Sequence, residues 1–134
     1  MTKAQVEQFL KEFTGWASRQ SDILGVALVG SYARGTATET SDVDLVVLAD
    51  QPGTFLQDRA WTHVFGKVVN EQVEDYGHLI SLRVHYENEL EVEFGLADKN
   101  WAAVPLDEGT HEVISGGMKV LFERSPLLSR HIST

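Results

Sequence analysis

Apolar residues recur at intervals of three and four between residues 4 and 17: Val6, Phe9, Leu10, Phe13, Trp16 and Ala17 alternate with charged positions such as Glu7, Lys11 and Glu12. That spacing predicts an amphipathic helix with one face against a core. From Ile23 the pattern changes to a nearly unbroken apolar run, Ile23-Leu24-Gly25-Val26-Ala27-Leu28-Val29, whose length and β-branched content predict a strand buried on both faces. Gly30-Ser31 ends it. Residues 31–41, SYARGTATETS, are small, polar and rich in turn formers, and Ser31 is placed to cap one turn of helix running through Arg34. A second buried strand follows at residues 43–48, Val-Asp-Leu-Val-Val-Leu.

Pro52-Gly53 mark a turn, after which Phe55, Leu56, Ala60, Trp61, Val64 and Phe65 predict a second covering helix over residues 54–65, stopped by Gly66. Residues 79–86 and 90–96 both alternate, with Ile80, Leu82, Val84 and Tyr86 against Ser81, Arg83 and His85 in the first, and read as a β-hairpin. A two-residue loop would set Val84 opposite Glu93. A three-residue loop, Glu87 to Glu89, pairs apolar with apolar and sets Arg83 opposite Glu93 and His85 opposite Glu91, so it is the expected register. Lys99 to Ala103 reads as a helical turn, and Gly116-Gly117 separate two strand-like stretches, 112–114 and 118–122. The expected fold class is α/β (α+β): a mixed β-sheet flanked by helices, in a single domain over residues 1–134.

At 134 residues, 43% apolar and 23% charged, the chain has an ordinary globular balance and can bury roughly two thirds of its unfolded surface. Twenty Asp and Glu against 11 Lys and Arg leave a formal charge of −9, with no basic cluster, which argues against nucleic acid as a partner. The absence of Cys excludes a disulfide framework and thiolate zinc sites and is consistent with a reducing compartment. No apolar run reaches the ~18 residues of a membrane span. No signal-peptide order opens the chain, so the expected location is cytoplasmic.

The residues with the clearest chemistry are Val29-Gly30-Ser31, then ten residues, then Asp42-Val43-Asp44-Leu45. A glycine at a strand end lets a phosphate approach the backbone, and a serine opening a helical turn offers a hydroxyl and free N–H groups to an anion. Asp42 and Asp44, two apart on a strand, project from one face about 7 Å apart along the backbone. Val46 and Leu48 continue that face into the core, a costly place for like charges unless a cation neutralises them. Hard oxygen ligands suit Mg²⁺, and two such ions about 3.5–4 Å apart can clamp the attacking and leaving oxygens of an in-line displacement at phosphorus. A metal-bridged nucleoside triphosphate is the natural ligand. A P-loop is excluded because Thr36 stands where its lysine belongs, and an EF-hand because Val46 replaces a polar ligand. The five histidines show no metal-ligand spacing.

On these residues the sequence resembles the polymerase-β-like nucleotidyltransferase superfamily, whose signature is an apolar residue, Gly, Gly or Ser, a short spacer, then acid, apolar, acid, apolar. Arg34-Gly35 and Ser41 resemble the usual filling of that spacer. The family places a third acid on a later strand, and Glu93 in Val92-Glu93-Phe94 is the matching residue, where the family mostly has Asp. The resemblance implies a nucleotidyltransferase fold and transfer of a nucleoside monophosphate, most often AMP from ATP, to a hydroxyl, with release of pyrophosphate. Asp42, Asp44 and Glu93 would be catalytic and hold two Mg²⁺ ions, with Glu93 either completing the cluster or taking the acceptor's proton. Gly30, Ser31, Arg34 and Ser41 would bind the nucleotide. Glu91 is a reserve acid, and Arg83 either binds phosphate or neutralises the acidic face. The surrounding sequence is similar to the small bacterial group containing aminoglycoside adenylyltransferases and minimal nucleotidyltransferases. The acceptor would then be a small molecule or a partner protein, with a second subunit, as in a homodimer, able to complete its site. The rival reading is a catalytically inactive nucleotide-binding or protein-interaction module of the same fold.

Overall fold

The computed structural model describes residues 2–77, 79–102 and 113–131. Helix α1 (Lys3–Ser18) forms where the apolar spacing predicts it. Its N-terminus is fixed by reciprocal capping: the Gln5 N–H donates to the Thr2 hydroxyl (3.1 Å) and the Thr2 N–H to the Gln5 side-chain oxygen (2.8 Å). Val6, Phe9, Phe13 and Ala17 are its buried stripe.

The buried runs form β1 (Ile23–Val29) and β2 (Val43–Ala49), with the short helix α2 (Ser31–Arg34) after β1. The hairpin forms β4 (Ile80–Tyr86) and β5 (Glu91–Ala97) in the three-residue-loop register, Arg83 opposite Glu93 and His85 opposite Glu91. β6 (Met118–Glu123) completes the second of the two stretches around Gly116-Gly117. The first does not form a strand: residues 113–115 are helical, and Glu112 lies outside the described residues. A 3₁₀ turn at Lys99–Ala102 matches the expected helical turn, whose last residue, Ala103, is also outside them.

Two further departures from expectation lie between β2 and β4. The single helix over 54–65 is divided into α3 (Thr54–Gln57) and a 3₁₀ helix at Ala60–Phe65. Asp58 is extended between them and its carboxylate accepts the Ala60 N–H (3.1 Å), while the Arg59 Nε donates to the Leu56 carbonyl (2.9 Å). Local side-chain bonds of this kind compete with helical ones. The second correction is an additional strand, β3 (Val68–Asp75), which has no alternating signature because all but Val68 and Glu71 are exposed.

Among the described residues the six strands form one mixed sheet in the order β3-β4-β5-β2-β1-β6, with β2 and β5 parallel and all other neighbours antiparallel. One face is covered by α1 and the 3₁₀ helix, through Phe9, Phe13, Trp16, Trp61 and Phe65 against Phe94 of β5; the Trp61 and Phe94 rings meet edge to face at 4.8 Å. The other face carries Ala27, Val29, Val46 and Leu48, packed with Trp101, Ala102 and Leu128. The acidic residues stand at the rim of this second face. No helix among the described residues is long and apolar enough to cross a membrane.

Candidate active site

Asp42 immediately precedes β2, Asp44 is its second residue, and Glu93 sits beside Asp44 because β2 and β5 run parallel in register, Asp44 opposite Glu93. One carboxylate oxygen from each of Asp42, Asp44 and Glu93 lies within 4.8 Å of the other two. Burial, followed by the charges of Asp42 and Glu93, pushes the Asp44 carboxyl up to about 8. Its Oδ1 is buried without a hydrogen-bond partner. An orphaned buried oxygen within an all-carboxylate donor set fits a hard divalent cation, which would supply the missing partner and neutralise the charge.

The glycine is required twice over. Gly30 adopts φ 74° and ψ −155°, a conformation open essentially to glycine alone, and a Cβ there would collide with the Asp44 carboxylate. Antiparallel pairing of Val29 with Asp44 brings the two together. Ser31 is the first residue of α2 and not its cap, a correction to the expected role: Gly30 holds the cap position, and its carbonyl accepts the N–H groups of Ala33 and Arg34, both at 3.1 Å. The backbone must leave β1 through Gly30 to clear Asp44, which displaces the cap by one residue.

Arg34 reaches away from α2 to the turn before β6, where Nη1 donates to the Gly116 carbonyl (3.4 Å). A Cβ on Gly117, itself at φ +111°, would stand 3.0 Å from Arg34 Cγ. Gly30, Arg34, Asp44 and Glu93 line one cavity of about 330 Å³, with Leu79 and Gly95 in its apolar wall. Ser41 is engaged elsewhere, its hydroxyl closing the connecting loop by accepting the Thr38 N–H (2.9 Å). Tyr76 also lines this cavity, and its hydroxyl donates to Glu74 (2.6 Å).

Glu93 is held by two donors: Ser81 Oγ to Oε1 (2.7 Å) and Arg83 Nη2 to Oε2 (3.2 Å). The Arg83 pairing follows from the hairpin register. Ser81 was not singled out in the sequence, although it shares the Arg83 face two residues earlier, and that parity was the available signal. Glu91 pairs with His85 at 3.1 Å. It is not part of the acidic cluster.

The sequence profile of a family described as nucleotidyltransferase domain matches residues 6–101. The chain belongs to the nucleotidyltransferase domain family. A Methanocaldococcus jannaschii protein named "putative protein adenylyltransferase" is 37% identical over 83 residues, which cover 60% of this chain and 55% of that protein. The chain therefore spans about half the length of that relative. The crystal structure of an aminoglycoside 6-adenyltransferase from Bacillus subtilis superimposes with a TM-score of 0.57 at 18% identity, over 76% of this chain and 37% of that one. This likeness establishes the nucleotidyltransferase fold, a mixed sheet with flanking helices.

Proposed function

We propose that this nucleotidyltransferase transfers a nucleoside monophosphate, AMP from ATP, to a hydroxyl of a small molecule or partner protein and releases pyrophosphate. The observation that carries the reading is the meeting of Asp42, Asp44 and Glu93 beside a glycine that admits no side chain. The acceptor oxygen bonds to the α-phosphorus, the bond from that phosphorus to the oxygen bridging the β-phosphate breaks, and the hydroxyl proton leaves to a base. Two Mg²⁺ ions held by the acids would neutralise the triphosphate and the charge developing on the attacking and leaving oxygens.

The chain's own residues supply position. Gly30 and the opening turn of α2 leave backbone N–H groups for the outer phosphates, with the Ser31 hydroxyl beside them, and Arg34 brings a fixed positive charge to the same cavity. Ser41 shapes the loop carrying Asp42. Each Glu93 oxygen already accepts one hydrogen bond, which suits a stationary ligand more than a base that must move toward a hydroxyl. Holding reactants in line is the main contribution such a site makes to rate. A single cytoplasmic domain over residues 1–134 is the form in which we place this activity, with a homodimer partner or acceptor protein completing the acceptor site.

The Arg83–Glu93 pair favours one second reading, since it gives the third acid a partner without any metal. Under it the chain is a catalytically inactive nucleotide-binding or interaction module. Incubation of the protein with α-labelled ATP, GTP, CTP or UTP, Mg²⁺ and candidate hydroxyl acceptors separates these. Mg²⁺-dependent pyrophosphate release with transfer of the label supports the enzyme, nucleotide binding without release across the acceptors supports the nucleotide-binding module, and binding of none removes both of these and leaves the interaction module.

A further inference from the structure

Thr62 and Ser81 are the two polar side chains fully buried among the described residues. Thr62 is explained by architecture: its hydroxyl donates to the Arg59 carbonyl (2.7 Å) and lies 3.0 Å from Glu71, tying the 3₁₀ helix to β3. Ser81 is different. It is 1% exposed, on the face of the sheet that carries the acids, and its hydroxyl donates to Glu93 Oε1 at 2.7 Å.

The sheet makes a place for this contact. Ser81 pairs across the ladder with Gly95, which offers no side chain to that face, so the hydroxyl reaches diagonally along β5 to Glu93. A Cβ at position 95 would press on Leu79 at 3.2 Å and on the Leu45 carbonyl at 3.1 Å. Glu93 thus has an anchor inside the sheet, in Ser81, and an outer partner, Arg83, whose side chain is about a third exposed (32%). The two differ in kind. A guanidinium competes with a cation for the carboxylate's charge, whereas a neutral hydroxyl fixes the carboxylate and leaves its charge available.

We infer that Ser81 is a positioning residue: it sets the Glu93 carboxylate toward Asp42 and Asp44, and through Glu93 it determines how tightly this site holds a divalent cation. The inference rests on the proposed metal role of the three acids. Loss of a hydrogen-bond partner behind a metal ligand typically costs about 10–100-fold in metal affinity, so Ser81→Ala is expected to weaken Mn²⁺ binding about tenfold.

The test is a double-mutant cycle of Ser81→Ala and Glu93→Ala on the full chain, reading Mn²⁺ affinity from the free-ion paramagnetic resonance signal and checking the fold by thermal melting. The expected result is a roughly tenfold loss for Ser81→Ala, a larger loss for Glu93→Ala, and no further loss when Ser81→Ala is added to Glu93→Ala. Wild-type affinity in Ser81→Ala, or the same loss in both backgrounds, overturns the inference while leaving the metal site standing. Unchanged affinity in Glu93→Ala overturns the metal assignment itself and this inference with it. Should Ser81→Ala fail to fold, Ser81→Cys, slightly larger than serine and a poor donor, enters the same cycle with the same readings.

Discussion

Asp44 and Glu93 stand directly across the parallel ladder from one another, with the Asp44 carboxyl pushed up to about 8 by burial and then by its acidic neighbours. An Asp with a raised folded-state pKa stays protonated in the fold after it has ionised in the unfolded chain. The metal-free protein therefore loses stability as pH rises from about 4 toward 8, and the loss is complete above that window. A bound divalent cation replaces the proton, so the melting-temperature gain on adding Mg²⁺ should grow from pH 5 to pH 8. Asp44→Asn should flatten both trends and reduce Mg²⁺ affinity by at least about tenfold. Thermal melts across pH, with Mg²⁺ and with chelator, provide the check; a gain independent of pH in the native protein would sink the assignment.

Gly30 and Gly35 have almost the same φ, 74° and 77°, yet different consequences are expected on substitution. Gly35 ends α2 in ordinary left-handed geometry, and a Cβ added there would meet nothing within 4 Å, so Gly35→Ala should cost about 1–2 kcal/mol and leave turnover largely intact. Gly30→Ala adds a glycine-only ψ, about 1–3 kcal/mol of strain, and a collision with Asp44. It should abolish Mg²⁺-dependent pyrophosphate release even where the folded protein is recovered. Equal activity in the two variants would show that Gly30 serves the turn alone.

The parts legible in the sequence were those whose environment is uniform. β1 and β2 are buried on both faces and write continuous apolar runs, and the hairpin register follows because a one-residue slip would set Val84 against Glu93. Strand β3 was not legible. It is an edge strand whose inward position is Glu71, held by Thr62 and Arg59, so no apolar alternation records it. The same applies to Ser81, a small polar residue whose importance comes from a diagonal contact that only the β4–β5 pairing and the bare Gly95 make possible. Asp42 and Asp44 were visible along the chain and Glu93 through the family resemblance; what the sequence did not carry was the strand order that places β5 beside β2 and lets the three meet.

Arg34 is held in the cavity by the turn at Gly116 and Gly117, which the sequence marks only as a break. A methyl on Gly117 would crowd Arg34 Cγ, so Gly117→Ala should raise KM for the nucleotide in the same direction as Arg34→Ala. The double variant should be no worse than Arg34→Ala alone, because the effect travels through one guanidinium. Multiplicative losses in steady-state kinetics would mean that Gly117 acts only on the backbone of β6.

Arg83 presents the sharpest conflict between structure and chemistry in this site. Its Nη2 pairs with Glu93 at 3.2 Å, while its Nε is buried with no partner, so the guanidinium is only partly satisfied where it rests. Replacement by Met keeps most of the apolar stem and removes the charge. Without metal, Glu93 then loses its paired charge, and the variant should melt lower than the native protein, by an amount equivalent to about 1 kcal/mol or less because the pair is partly exposed. With saturating Mg²⁺ that deficit should shrink, since bound ions replace the missing charge, and Mg²⁺ should bind more tightly because no side chain competes for Glu93. An identical deficit in chelator and in Mg²⁺ would identify Arg83 as a cross-strand ion pair indifferent to the site. A deficit that closes with Mg²⁺ identifies it as the counter-ion that the metal replaces.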